Sequence, residues 1–297
     1  MSGVDRAGHG LPAVRRTTTT GKEDTTLKPV PDGPPPAPVA QRLRVRYAKR
    51  GRLRFTSHRD ISRALERAIR RADVPVAFSA GFSPHPKISY VGAAAPTGVA
   101  SEAEYLEISV TRECDPGGLR AALDASLPPG LDVLDVVEAG TGSLADRLEC
   151  SAWRIRLPGA DPALARAAVE RFNAAERIEV ERLTKKGMRR FDAREAVVSL
   201  EAAEEAEATA GQASSQSCVI LRMVVRHATP AVRPDDVLTG LRLVADFAPP
   251  VPPEVTRLAQ GPLDVRTGAP ADPFGLDRDN SRGGETEPVS EHVGGDL

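Results

Sequence analysis

Cysteine is scarce in this 297-residue chain, and the three that occur, Cys114, Cys150 and Cys218, stand far apart. With no C-x-x-C pair and an odd count, they exclude a disulfide framework and argue against cysteine-ligated zinc or an iron–sulfur cluster. Aromatic residues are few as well: seven Phe, three Tyr and one Trp leave little with which to stack bases on a sheet surface. Nowhere is there a run near the ~18 apolar residues that a membrane-spanning helix needs, and no apolar segment follows Met1. The expectation is a cytoplasmic protein with no membrane contact.

What the chain does have is segregated charge. Its formal net charge is only -1, yet between Arg42 and Arg71 twelve Lys and Arg face two acids, Asp60 and Glu66, a local charge of +10. Such a concentration of cations attracts polyanions, RNA in particular. From Ser101 to Glu149 the balance reverses, with eleven acids against Arg112, Arg120 and Arg147, a solvated surface or a docking face for a basic partner.

Periodicity organises the middle of the chain. Residues 1–41 hold seven prolines and a Thr run and read as a disordered Pro/Thr-rich tail; from residue 248 on, Pro249, Pro250, Pro252 and Pro253 followed by Gly, Asp, Glu and Ser predict a second disordered tail over 248–297. Between them, Leu43, Val45 and Tyr47 alternate with arginines, and a turn at Lys49-Arg50-Gly51 leads into Arg52-Leu53-Arg54-Phe55, which predicts a pair of strands. Ser57 and Asp60 form a capping pattern before an apolar stripe of Ile61, Leu65 and Ile69, so a helix over 58–72 follows, with Arg59, Arg63, Arg67 and Arg70 turned outward. Strands at Lys87–Val91, Tyr105–Val110 and Leu131–Val137 and a helix at Pro116–Leu127 complete the order β, α, β, β, α, β.

That order fits an α+β, ferredoxin-like sandwich over 42–140. The pattern restarts at Trp153–Leu157, with a helix over Pro162–Asn173, strands at Ile178–Leu183, Arg190–Leu200 and Cys218–Val225, and a helix at Pro234–Leu241. The prediction is a second ferredoxin-like domain over 147–247. The acidic stretch Glu201–Gly211 is either a helical extension or an insert, and Lys185-Lys186-Gly187 with Arg189, Arg190 and Arg194 is a second basic spot.

Two histidines stand where chemistry would sit. His58 follows the helix cap, near exposed backbone N–H groups, where an imidazole can act as base, ligand or acceptor. His85 lies between Pro84 and Pro86, which bias the local backbone toward extended geometry and hold the ring beside Lys87, a plausible phosphate clamp. The bland alternatives are a loop-bonded histidine and a structural proline turn. His58, Asp60 and His85 have metal-ligand types, but H-x-D is short and Asp60 is engaged as a cap, so neither metal nor cofactor is expected.

The motifs Leu53-Arg54-Phe55-Thr56-Ser57-His58-Arg59-Asp60, Glu66–Ala72, Gly81-Phe82-Ser83-Pro84-His85-Pro86-Lys87-Ile88-Ser89 and Gly98–Tyr105 resemble the radical-SAM-linked family, a bacterial domain of unknown function. The resemblance covers about residues 41 to 245. It departs from the family pattern at Val91–Pro96 and is looser in the carboxyl half. Relatives are fused to a radical SAM domain or encoded beside one; this chain lacks the cluster-binding cysteine triplet, so the resemblance implies a stand-alone form with a separately encoded radical SAM enzyme as partner.

Three functions stay open at this point. In the first, the basic domain binds structured RNA for that enzyme, with Arg44, Arg46, Arg52, Arg54, Arg63, Arg67 and Arg70 on phosphates and Arg59, Lys87, Ser89 and Glu104 lining a substrate site. In the second, His58, His85 and Asp60 are catalytic, acting on a phosphorylated substrate or RNA. In the third, the chain is a docking module for the radical SAM enzyme.

Overall fold

The computed structural model describes residues 36–184, 187–204 and 218–283. The Thr-rich part of the first tail, Lys185-Lys186 and most of the acidic stretch after Glu204 lie outside the described residues.

Strand β1 (Gln41–Lys49) buries Leu43, Val45 and Tyr47 on one face, as the alternation requires. Helix α1 (His58–Arg71) starts where expected: the Ser57 hydroxyl accepts the Asp60 N–H at 3.2 Å and donates to the Asp60 carboxylate at 2.7 Å. Its Ile61, Leu65 and Ile69 pack on β1 together with Leu119 and Leu123 of α2 (Pro116–Ser126). Strands β2 (Ile88–Val91), β3 (Ala100–Val110) and β4 (Leu131–Glu138) complete an antiparallel array in the order β4-β1-β3-β2.

After the short helix α3 (Leu144–Arg147) come β5 (Cys150–Pro158) and α4 (Pro162–Ala174), then a separate hairpin of β6 (Glu179–Thr184) and β7 (Gly187–Asp192). The chain returns as β8 (Val197–Glu204), β9 (Cys218–Arg226) and α5 (Pro234–Ala245). Strand β10 (Glu254–Gly261) lies antiparallel to β5 and parallel to the start of β3. It fuses both halves into one sheet, β4-β1-β3-β10-β5-β9-β8 with β2 on the remaining edge of β3. A small pair, β11 (Leu263–Asp264) and β12 (Ala269–Pro270), leads to α6 (Gly275–Gly283). Among the described residues the fold is a mixed α/β structure around one large mixed sheet with six helices.

Three expectations are corrected. Arg52–Phe55 is not a strand: β1 is flanked by β3 and β4, so no edge is left for it, and Gly51–Phe55 winds instead into a 3-10 turn begun by Gly51 at φ +53°. Arg190–Leu200 is two strands broken at 193–196. The disordered tail predicted for 248–297 is ordered from the prolines through Gly283. The prolines form a linker, and the sequence of β10 lacks a strand pattern because two of its inward positions carry Arg257 and Gln260, both buried, instead of apolar residues.

Helix α6 and the loop before it close the sheet face opposite α1. Phe274 is fully buried against Tyr105, Leu144 and Leu148, its ring edge-on to Tyr105 at 5.6 Å. Among the described residues no helix is long and apolar enough to cross a membrane.

Candidate nucleic-acid interface

The basic segment divides into internal and external cations. Arg44 is 2 % exposed and serves as an internal strut: Nε donates to Glu107 at 2.8 Å, Nη1 to Asp277 at 2.5 Å and Nη2 to the Gly142 carbonyl at 2.6 Å. Burial alone would raise the Asp277 carboxyl, but hydrogen bonds from Arg44 and Arg147 and the Gly140 N–H hold it below its ordinary value. A guanidinium so engaged does not reach a phosphate, and the role expected of Arg44 is corrected accordingly. Arg46 donates Nε to the Glu102 carbonyl at 2.8 Å. Arg50 bridges Glu102 and Asp132, and these partners, Glu102 first, raise its affinity for its proton.

Glu104, expected in a substrate site, is 6 % exposed and lies at the seam between the two halves. One oxygen accepts Arg257 Nη2; the other accepts the Ala95 N–H at 3.3 Å. Arg257 also donates to the Ala93 carbonyl at 2.8 Å and lies over the Trp153 ring. Buried beside them, Lys49 donates to the carbonyls of Ala95 and Pro96 at 2.9 and 3.1 Å, and burial pushes its ammonium below its ordinary value. Glu104 therefore acts as the carboxylate of a structural ion pair. Nothing in the local pattern of β3 signals this, since its partner lies 153 positions away.

Apart from Arg42 on β1, the external cations that no acid holds firmly are on α1 and just before it. Arg59, Arg63, Arg67 and Arg70 are all exposed. Arg63 makes a loose contact with Asp60 at 3.5 Å, both more than half exposed, and the other three pair with no acid among the described residues. At 1.5 Å rise per residue, the four positions cover ~16 Å of helix with steps of ~6 Å or less. Arg71 reaches the Ser126 carbonyl at 2.7 Å. In the preceding turn Arg52 is exposed, and Arg54 lies 4.8 Å from the centroid of Phe55, a ring that is 60 % exposed. Phe82 is 71 % exposed in the loop before β2. The sequence pattern does not signal the exposure of these two rings, since Phe55 reads there as a strand residue.

The two histidines have different neighbours. His58 is edge-on to Tyr90 at 5.0 Å, at the strand position opposite Leu106. His85 is exposed beyond the other end of β2, in a loop closed by the Phe78–Pro86 bridge and by Ser79, whose hydroxyl accepts the His85 N–H at 3.0 Å. Lys87 is exposed beside it, and its backbone N–H bonds the Ala77 carbonyl. Ser89 is exposed on β2 opposite Glu107, and Asp60 is held by the helix cap. Among the described residues no three His, Cys, Asp or Glu side chains are grouped to hold a metal ion.

One comparison with known proteins is informative. Residues 42–234 match the model of a family described as an uncharacterized protein conserved in bacteria, DUF2344. No curated protein matches the chain.

Proposed function

This chain belongs to that uncharacterized bacterial family, and we propose that it is an accessory protein that holds structured RNA on the outer face of α1. The observation that carries this reading is the row Arg59, Arg63, Arg67 and Arg70, exposed and almost unpaired on one helix. Surface arginines are commonly neutralised by nearby acids; these are left available to a polyanion. The exposed Phe55 under Arg54 adds a place for an unpaired base to stack near the start of the same helix. Recognition would rest on phosphates and shape more than on base stacking.

Two finer points belong to the same proposal. Each half is a ferredoxin-like βαββαβ unit, supported by the matching strand orders β4-β1-β3-β2 and β10-β5-β9-β8, the second interrupted by the β6–β7 hairpin. The enzyme that acts on the RNA is a separately encoded radical SAM protein, supported by the likeness of the His58 and His85 motifs.

The test is an Arg63→Glu, Arg67→Glu double variant of the full chain. Two phosphate contacts are removed and two repulsions added, so RNA affinity is expected to fall at least ~10-fold at physiological salt, with the circular dichroism spectrum unchanged. RNA binding equal to wild type would sink the proposal.

A further inference from the structure

The sheet face opposite α1 holds a cavity of about 560 Å³ between β1, β2 and the loop 139–145, within the size range of small-molecule sites. We infer that it is a binding site for a phosphomonoester of mononucleotide size. The inference goes beyond the RNA reading and uses none of the α1 arginines on which that reading rests.

Its chemistry is set by six side chains. Arg42 and Arg44 line one wall with Glu107, and Ser89, Thr141 and Ser143 supply hydroxyls around them. Arg42 is exposed and pairs with no acid among the described residues, so its guanidinium is available to a ligand. The Ser143 hydroxyl makes no capping bond to α3, although it stands at the cap position. Behind the wall, Arg44 and Arg147 share Asp277. The three arginines against Glu107 and Asp277 leave a net charge of +1, which favours an anion.

The loop is held in shape for this. Arg44 ties down the Gly142 carbonyl, Arg147 donates to the Thr141 carbonyl at 2.8 Å, and Asp277 accepts the Gly140 N–H at 2.9 Å. Gly142 adopts φ +83°, and a Cβ built there would meet nothing within 4 Å, so a ligand can approach the backbone closely. A phosphate fits the Arg42 guanidinium and the hydroxyls through charge-assisted hydrogen bonds. Glu107, 28 % exposed, accepts a sugar hydroxyl or a base N–H, which makes the preferred ligand larger than phosphate alone.

Calorimetric titration of the full chain tests this with the four ribonucleoside 5′-monophosphates, the four nucleosides and inorganic phosphate. The expected result is sub-millimolar binding of at least one monophosphate, with its nucleoside at least tenfold weaker and inorganic phosphate intermediate. Arg42→Ala and Ser143→Glu should each weaken the monophosphate at least tenfold, because one removes the available cation and the other places a carboxylate among the hydroxyls. The Arg63→Glu, Arg67→Glu variant should bind it as wild type does, which separates this site from the RNA face. Failure of all four monophosphates to bind, equal binding of nucleoside and monophosphate, or full affinity in Arg42→Ala would each overturn the inference.

Discussion

Replacing Glu104 by alanine is expected to destabilise the protein by about 3–5 kcal/mol, the cost of leaving a buried charge without its partner. Arg257 is 3 % exposed and Lys49 2 %, and Glu104 is the carboxylate placed between them. Without it, two buried cations are left with only carbonyls and a hydroxyl. The loss should appear as a lower urea midpoint with an unchanged m-value. Glu104→Leu combined with Arg257→Met should recover much of it, because replacing both members of a buried pair with apolar groups leaves only Lys49, whose ammonium keeps the Ala95 and Pro96 carbonyls. A midpoint shift for Glu104→Ala no larger than that of an ordinary surface substitution would show that the seam is not held as described.

Ending the chain after Ala248 is expected to have a still larger effect. The truncation removes β10 and with it every pairing that links the strands of the first half to those of the second. It also removes Arg257 from Glu104, Asp277 from Arg44 and Phe274 from the cluster around Tyr105. Glu104 and Arg44 would then be unpaired or half-paired, and β5 would present a raw edge, a condition that favours aggregation. Such a chain should lose most amide-exchange protection in β5 and β9, whereas a chain ending at Gly283 should retain it. Native-like protection in the shorter chain would mean that β10 is dispensable, contrary to the topology.

Element types were legible wherever a clean period ran between turn signals. The stripe Ile61, Leu65, Ile69 gave α1 to within a residue, and Ser57 marked its start. Tertiary context defeated the same logic elsewhere. Phe55 reads as an inward strand residue, but strand pairing on both sides of β1 leaves it exposed in a turn. In β10, Arg257 and Gln260 face inward to meet polar partners supplied by β3 and its preceding loop, so the segment lacks the apolar alternation that marks a strand.

The candidate site was legible only in part, for a related reason. An arginine count cannot distinguish Arg44, matched to Asp277 at 233 positions' separation, from Arg67, which faces solvent. Helical periodicity made that distinction for α1, where one face must pack and the other must not. At Arg44 both faces of β1 are covered, one by α1 and α2 and the other by α6 through Asp277, and alternation along the strand carried no warning of the second layer.

The central claim is that the outer face of α1 holds RNA through phosphate contacts. It is tested most directly by fluorescence anisotropy of the full chain with labelled total cellular RNA across roughly 50 to 200 mM salt. Three or four arginine–phosphate contacts predict micromolar or tighter binding whose logarithm falls with that of salt concentration at a slope of about -2 to -4, from ~0.7 per contact on a single strand to ~0.9 on a duplex. Absent binding, or binding indifferent to salt, would contradict the account.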